Sequence, residues 1–286
     1  LAKLLLPLKM GIKKENCMAI KLIAIDLDGT LLNTHHQISD NVQNVLQQAQ
    51  RNNIHIILAS GRPYSGIQPY LQQLALDKPG NYCISNNGSV IHDASNGNHL
   101  IDFLLDIDDY KKIYAQTEEL DLSLHALGDN KIFTANKIIG FYTTHEAYLS
   151  NTLIHYVPMN EMPTNILFTK LMISSEENYL SSIIKKIPSS YFQQYTLVRS
   201  TPYFLEVLNK NANKGLAIQA LAQQLDLHKY EIMCIGDQNN DLPMFDVAGT
   251  CIAMENATDE LKSRATGVTS CNDTDGVARA IEKYAL

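Results

Sequence analysis

Asp26 and Asp28 stand one residue apart at the end of the short apolar run Leu22-Ile-Ala-Ile25, and Gly29-Thr30 follow at once. Packing explains such a pair poorly, because an unpaired carboxylate in apolar surroundings is costly. The pair makes sense if it handles a cation, a phosphate or a proton at the strand-end edge where open α/β sheets keep their ligands. Gly29 would let the chain leave the strand sharply. Taken alone, an Asp-x-Asp reads equally well as a turn in which one carboxylate caps and the other meets water.

Three further positions shift that balance. Ser60 and Gly61 follow the run Ile56-Ile-Leu-Ala59, setting a hydroxyl beside a sterically open amide. Lys214 begins an amphipathic stretch through Leu225, where a cation opposes the helix dipole. That placement is sensible if an anion is shared between the ammonium and the helix end. Gly236-Asp237-Gln238-Asn239-Asn240-Asp241 follows the run Ile232-Met-Cys-Ile235. Singly, Ser60 is a helix cap and Lys214 a solvated lysine; together, each at a strand end, they converge on a phosphate and a hard cation.

The elements that position these residues are legible in the apolar pattern. Ile54–Leu58 reads as a second buried strand and Tyr82–Ile84 as a third. A helix capped by Ser39, burying Val42, Val45, Leu46 and Ala49, precedes the second strand, and one from about Tyr64, bent or broken near Pro69, lies between the second and third. After Lys214 the pattern returns, with a buried helix face expected from Leu216, Ile218, Ala220, Leu221 and Leu225, then strands at 232–235 and 251–254. A last helix takes in Val277, Ala280, Ile281 and Tyr284. This is an α/β fold, a Rossmann-like doubly wound parallel sheet covered on both faces. Residues 103–207 differ: strands alternate at Leu122–Leu127 and Ile166–Ile173, with helices near 108–120, 145–155 and 176–187. They predict an inserted α/β cap domain whose sheet has one open face, flanked by core segments 18–102 and 208–286.

Composition narrows the function classes. The 286 residues carry 23 Lys and Arg against 30 Asp and Glu, a net charge of −7 without a basic run, a poor match to nucleic acid. The five cysteines, Cys17, Cys83, Cys234, Cys251 and Cys271, form no CxxC pair, so buried free thiols in a reducing compartment are expected rather than a zinc site or disulfides. Residues 1–17 hold Lys3, Lys9, Lys13 and Lys14 against Glu15, and their apolar run is broken at Pro7. They predict a disordered extension, neither membrane span nor signal, and the chain is expected in the cytoplasm without a membrane partner.

Asp26-x-Asp28-Gly-Thr, Ser60, Lys214 and Gly236-Asp237-x-x-x-Asp241 resemble the four motifs of the haloacid dehalogenase superfamily. The long insert between Ser60 and Lys214 resembles the large α/β cap of its Cof-type branch. From Met18 to Leu286 the resemblance extends to the YidA-type sugar phosphatases, through segments such as NYCISNNGSV, TPYFLEVL and EIMCIGDQNND. It implies a Mg²⁺-dependent phosphatase acting on small phosphorylated metabolites, sugar phosphates first among them. Asp26 would attack phosphorus and Asp28 would act as general acid and base. Mg²⁺ would be held by the Asp26 carboxylate, the Asp28 backbone carbonyl and Asp237. Ser60, Gly61, Lys214 and Asn240 would bind the phosphate, and Asp241 would hold Lys214 or the metal shell in place. Arg62, Asn86, Asn87 and His125 are candidates for substrate specificity, although Asn86-Asn87-Gly88 reads equally as a plain turn and His125 as solvent-facing. All residues assigned to phosphoryl transfer lie outside 103–207, so chemistry is expected in the core and specificity in the cap. The alternatives are phosphomutase-type transfer and a non-catalytic metabolite-binding regulator. Oligomeric state is left open.

Overall fold

Leu22, Ile23, Ala24 and Ile25 are all completely buried, so β1 (Leu22–Ile25) is covered on both faces, as its unbroken apolar run requires. The computed structural model describes residues 19–128, 131–150 and 152–286; the extension expected at 1–17 lies outside the described residues. After β1 come α1 (Asp40–Arg51), β2 (His55–Ala59), α2 (Tyr64–Gln73), β3 (Tyr82–Ser85), β4 (Val90–Asp93) and β5 (His99–Asp102). The middle of the chain builds α3 (Ile107–Glu119), β6 (Ser123–Gly128), β7 (Lys131–Thr134), α4 (Phe141–Leu149), β8 (Ile154–Tyr156) and β9 (Lys170–Ser174). It continues through α5 (Glu177–Ile184), α6 (Ser189–Gln194), β10 (Tyr195–Thr201) and β11 (Phe204–Asn209). The last part holds α7 (Lys214–Gln224), β12 (Ile232–Gly236), α8 (Leu242–Val247), β13 (Thr250–Ala253), α9 (Asp259–Arg264), β14 (Gly267–Val268) and α10 (Gly276–Tyr284).

Among the described residues these strands form two sheets. The first has eight strands in the order β14-β13-β12-β1-β2-β3-β4-β5, parallel from β14 to β3 and antiparallel beyond. The chain leaves β1 toward β2 but leaves the neighbouring β12 toward β13 on the other side, so a crevice opens at the C-terminal ends of β1 and β12. Ile25 is in register with both Ile235 and Leu58, which brings Asp26, Gly236 and Ala59 level at that edge. The second sheet has six strands in the order β10-β11-β9-β6-β7-β8. Leu124, Ala126, Leu171 and Val207 of one face pack against Ile107, Tyr110 and Ile113 of α3. The opposite face carries His125, Leu127, Lys170, Met172, Phe204 and Glu206.

Several local expectations hold. Ser39 caps α1, its side chain accepting from the Val42 amide, and Val42, Val45, Leu46 and Ala49 are that helix's buried residues. Cys83, Cys234 and Cys251 are buried free thiols, while Cys271 is half-buried. Others are corrected. Pro69 lies inside α2 without interrupting it. Leu216 is exposed, whereas Gly215, Ala217, Ile218, Leu221 and Ala222 are buried, Gly215 lying against the Pro243 carbonyl of α8. The stretch 145–155 is the end of α4 followed by β8, and in 166–173 only Lys170 onward is strand, Phe168 making an isolated bridge to Leu105.

Candidate active site

The Lys214 ammonium is completely buried between two carboxylates, 2.5 Å from Asp26 Oδ1 and 2.6 Å from Asp241 Oδ1. Asn213 caps α7 by accepting from the Leu216 amide, fixing the first helical residue, Lys214, at the crevice. Gly88, with φ 98°, lets the chain press on the Asn213–Lys214 peptide, where a Cβ would collide with backbone. Burial opposes the lysine's charge, but Asp241 and then Asp26 raise its pKa well above the ordinary value. The Asp26 carboxyl is pushed up by burial, against the downward pull of Lys214. Asp241 has both oxygens engaged, since Oδ2 accepts from the amides of Asp237 (2.9 Å) and Gln238 (3.1 Å). Its place is therefore to hold Lys214 and the β12 exit together.

Asp237 lies beside them, accepting from Thr30 Oγ1 at 2.7 Å and Gln238 Nε2 at 3.0 Å, with burial raising its pKa. Gly29 at φ 80° makes this approach possible; a Cβ there would fall 2.5 Å from Asp237 Oδ2. Oxygens of Asp26, Asp237 and Asp241 all lie within 4.8 Å of one another. Three buried carboxyl groups surround one ammonium, and every donor is a hard oxygen. The residues present thus fit a hard divalent cation such as Mg²⁺.

Asp28 sits apart from this group. Its carboxylate is half-exposed and bound in a fork by Arg62, Nε to Oδ2 at 2.8 Å and Nη2 to Oδ1 at 2.5 Å. Arg62 also donates to Tyr70 Oη and the Gly66 carbonyl, so it is committed to Asp28 and α2. Ser60 is buried, its Oγ accepting from the Arg62 amide, and Ser60 and Gly61 line the cleft beside Asp26 and Asp28. That cleft, of about 1910 Å³, is also lined by Asn86, Asn87 and Asn240 and by Leu127, Lys170, Met172, Phe204 and Glu206 of the second sheet.

Asn86 and Asn87 adopt left-handed backbone (φ 48° and 56°), and their amides donate to the Arg62 and Ser60 carbonyls. The segment is a turn, as one reading had it, and it also buries both side chains at the crevice. His125 is not brought to the cleft. It is completely buried, its Nδ1 paired with Thr143 Oγ1 at 3.1 Å, and burial lowers its pKa to about 3. It neither faces solvent nor touches the cleft, because α4 and the ring of Phe204 cover it. Thr30 was missed although it belongs to the Asp-x-Asp-Gly-Thr string. Lys170 and Glu206 were missed too; a charged residue in an alternating strand reads as solvent-facing until the sheet's partner is known.

A family model for haloacid dehalogenase-like hydrolases matches residues 23–281, and the chain belongs to that family. Among curated proteins it is 40% identical over 269 residues to a "Putative phosphatase" of Streptococcus pyogenes serotype M6, covering 94% of this chain and 100% of that one. It is 38% identical to "Putative phosphatase YxeH" of Bacillus subtilis, with 93% and 98% covered. It is 31% identical to the 5-amino-6-(5-phospho-D-ribitylamino)uracil phosphatase YwtE of Bacillus subtilis, over 92% of this chain and 98% of that one. A solved haloacid dehalogenase-like hydrolase from Bacteroides thetaiotaomicron superposes with a TM-score of 0.78 at 30% identity, covering 92% and 99% of the two chains.

Proposed function

We propose that this protein is a Mg²⁺-dependent phosphatase that hydrolyses small phosphorylated metabolites, sugar or polyol phosphates first among them, through an aspartyl-phosphate. The observation that carries the reading is the buried Lys214 between Asp26 and Asp241, beside Asp237, at the exit of the central strand. Binding alone needs no carboxylate held ready in a desolvated, cationic setting; in-line attack on phosphorus does. Asp26 attacks, and Lys214, Ser60, Gly61 and Asn240 receive the phosphoryl oxygens. Asp28 protonates the departing alkoxide and later takes a proton from the hydrolytic water. Arg62 must release Asp28, or shift with it, for the carboxyl to reach the leaving oxygen, because the fork now occupies both its oxygens. When bound at Asp26, Asp237 and the Asp28 carbonyl, Mg²⁺ supplies the charge that lets a phosphate dianion approach carboxylates. Residues 103–207, with the six-stranded sheet, act as the cap that excludes water and contacts the leaving group.

Relatives named for a ribityl phosphate substrate support a polyol leaving group. Among the described residues no helix is long and apolar enough to cross a membrane; the buried free thiols support a reducing, cytoplasmic setting. The test is phosphate release from a panel of sugar and polyol monophosphates, without a bisphosphate activator. Wild type should release phosphate, Asp26→Ala should not, EDTA should silence the enzyme, and Mg²⁺ should restore it better than Ca²⁺, whose longer bonds misplace the nucleophile. Isomerised sugar phosphate without free phosphate would make it a mutase. Tight binding with no turnover would make it a regulator.

A further inference from the structure

Lys170 and Glu206 form a buried ion pair that none of the roles above uses. The pairings Leu127 with Lys170 and Met172 with Glu206 place both on the sheet face turned to the cleft. Their charged atoms are 3.0 Å apart and each side chain is 4% exposed. Burial opposes the Lys170 charge, but Glu206, with Glu146, raises its pKa above the ordinary value, so the ammonium stays charged. A buried pair of this kind adds little over apolar side chains of equal volume. Stability alone therefore does not account for it.

The other Glu206 oxygen, Oε2, accepts from Asn87 Nδ2 at 3.2 Å, and Asn87 Oδ1 accepts from Asn240 Nδ2 at 3.0 Å. The polarity of this chain is forced. A carboxylate neutralised by Lys170 can only accept, so the Asn87 amide must turn its NH₂ to Glu206 and its oxygen to Asn240. Asn240 must then give one N–H to Asn87, leaving its second for the cleft. The Asn87 backbone amide donates to the Ser60 carbonyl at 2.9 Å, and a Cβ on Gly61 would sit 3.2 Å from its side-chain amide. One continuous connection runs from the second sheet to the loop and the asparagine that line the cleft.

We propose that Lys170 and Glu206 are positioning residues for phosphoryl transfer, orienting the Asn87 amide and through it Asn240 and the Ser60–Gly61 loop. The inference rests on the phosphatase reading. It also departs from the expectation that the chemistry depends only on residues outside 103–207.

The test uses the full chain with Mg²⁺ and three variants: Lys170→Met/Glu206→Leu, which substitutes apolar side chains of similar volume; Asn87→Gly, which removes the amide where glycine tolerates the left-handed backbone; and their combination. The readouts are kcat and KM for p-nitrophenyl phosphate, inhibition by orthovanadate, and the melting temperature. Both parent variants should lose about 10- to 100-fold in kcat and a comparable factor in orthovanadate affinity. Their combination should be no worse than the weaker parent, since they break one connection. A folded Lys170→Met/Glu206→Leu variant with wild-type kcat and orthovanadate affinity would overturn the proposal, whatever its melting temperature. So would losses that multiply in the combination. If that double variant does not fold, unchanged kcat and affinity in Asn87→Gly overturns it. Failure of wild type to hydrolyse any phosphomonoester or to bind orthovanadate would bring down the phosphatase reading, and this proposal with it.

Discussion

Replacing Lys214 with methionine removes the only ammonium from a fully buried site and leaves Asp26 and Asp241 facing each other. Breaking a buried pair by deleting one partner costs about 3–5 kcal/mol, because the remaining charge is buried uncompensated. The substitution also removes a cation from a helix N-terminus, which returns about 0.3–1 kcal/mol. The first effect wins, and Lys214→Met should lose about 2–5 kcal/mol in urea unfolding at neutral pH with EDTA present. The deficit should shrink with acid. Burial already raises the folded-state pKa of Asp26 above its unfolded value, so protonating it favours the folded state, and more so without the ammonium. Mg²⁺ should recover part of the loss by binding only the folded carboxylates. A loss below about 1 kcal/mol, or one independent of pH, would refute the claim that Lys214 neutralises this cluster.

Two histidines give a second pH signature. Burial lowers the pKa of His125 to about 3 and of His92 to about 4, below the unfolded value of 6.5. Their contribution is complete above pH 6.5 and is lost as pH falls toward those folded values, roughly 2 kcal/mol for each at pH 5. Denaturant unfolding should therefore weaken between neutral pH and pH 5, and His125→Gln should flatten that slope; an unchanged slope contradicts the burial argument. Asp28→Asn should lower kcat for alkyl phosphates by about 10²–10⁴ while sparing Mg²⁺ binding, which isothermal titration checks, because its expected metal contact is a backbone carbonyl. Retention of most activity would remove Asp28 from acid–base chemistry.

What could be read from the residues depended on whether their reasons were local. β1 and its Asp26–Asp28 exit were legible because an unbroken apolar run and two carboxylates are both local facts, and register with β2 and β12 then levelled Ser60 and Asp237 beside them. The Ser39 cap and the buried positions of α1 were legible for the same reason. Leu216 was misplaced because hydrophobicity alone does not set a helix's phase when a small residue, here Gly215 against the Pro243 carbonyl, makes the closest packing. Arg62, a candidate for substrate specificity, does line the cleft, but its fork onto Asp28 is a pairing across 34 residues that no spacing encodes. Lys170, Glu206 and the burial of His125 depend on which face of the second sheet meets the cleft, a tertiary fact.

The central claim is that Asp26 carries the phosphoryl group. p-Nitrophenolate departs without a proton, so Asp28→Asn should still allow the first step while lacking the base for the second. Mixing this variant with p-nitrophenyl phosphate and Mg²⁺ should give a burst of nitrophenolate equal to the enzyme present. Acid quenching, borohydride reduction and peptide mapping should then find the reduced residue, homoserine, at Asp26. A burst with no modification at Asp26, or reduction at another carboxylate, would contradict the mechanism.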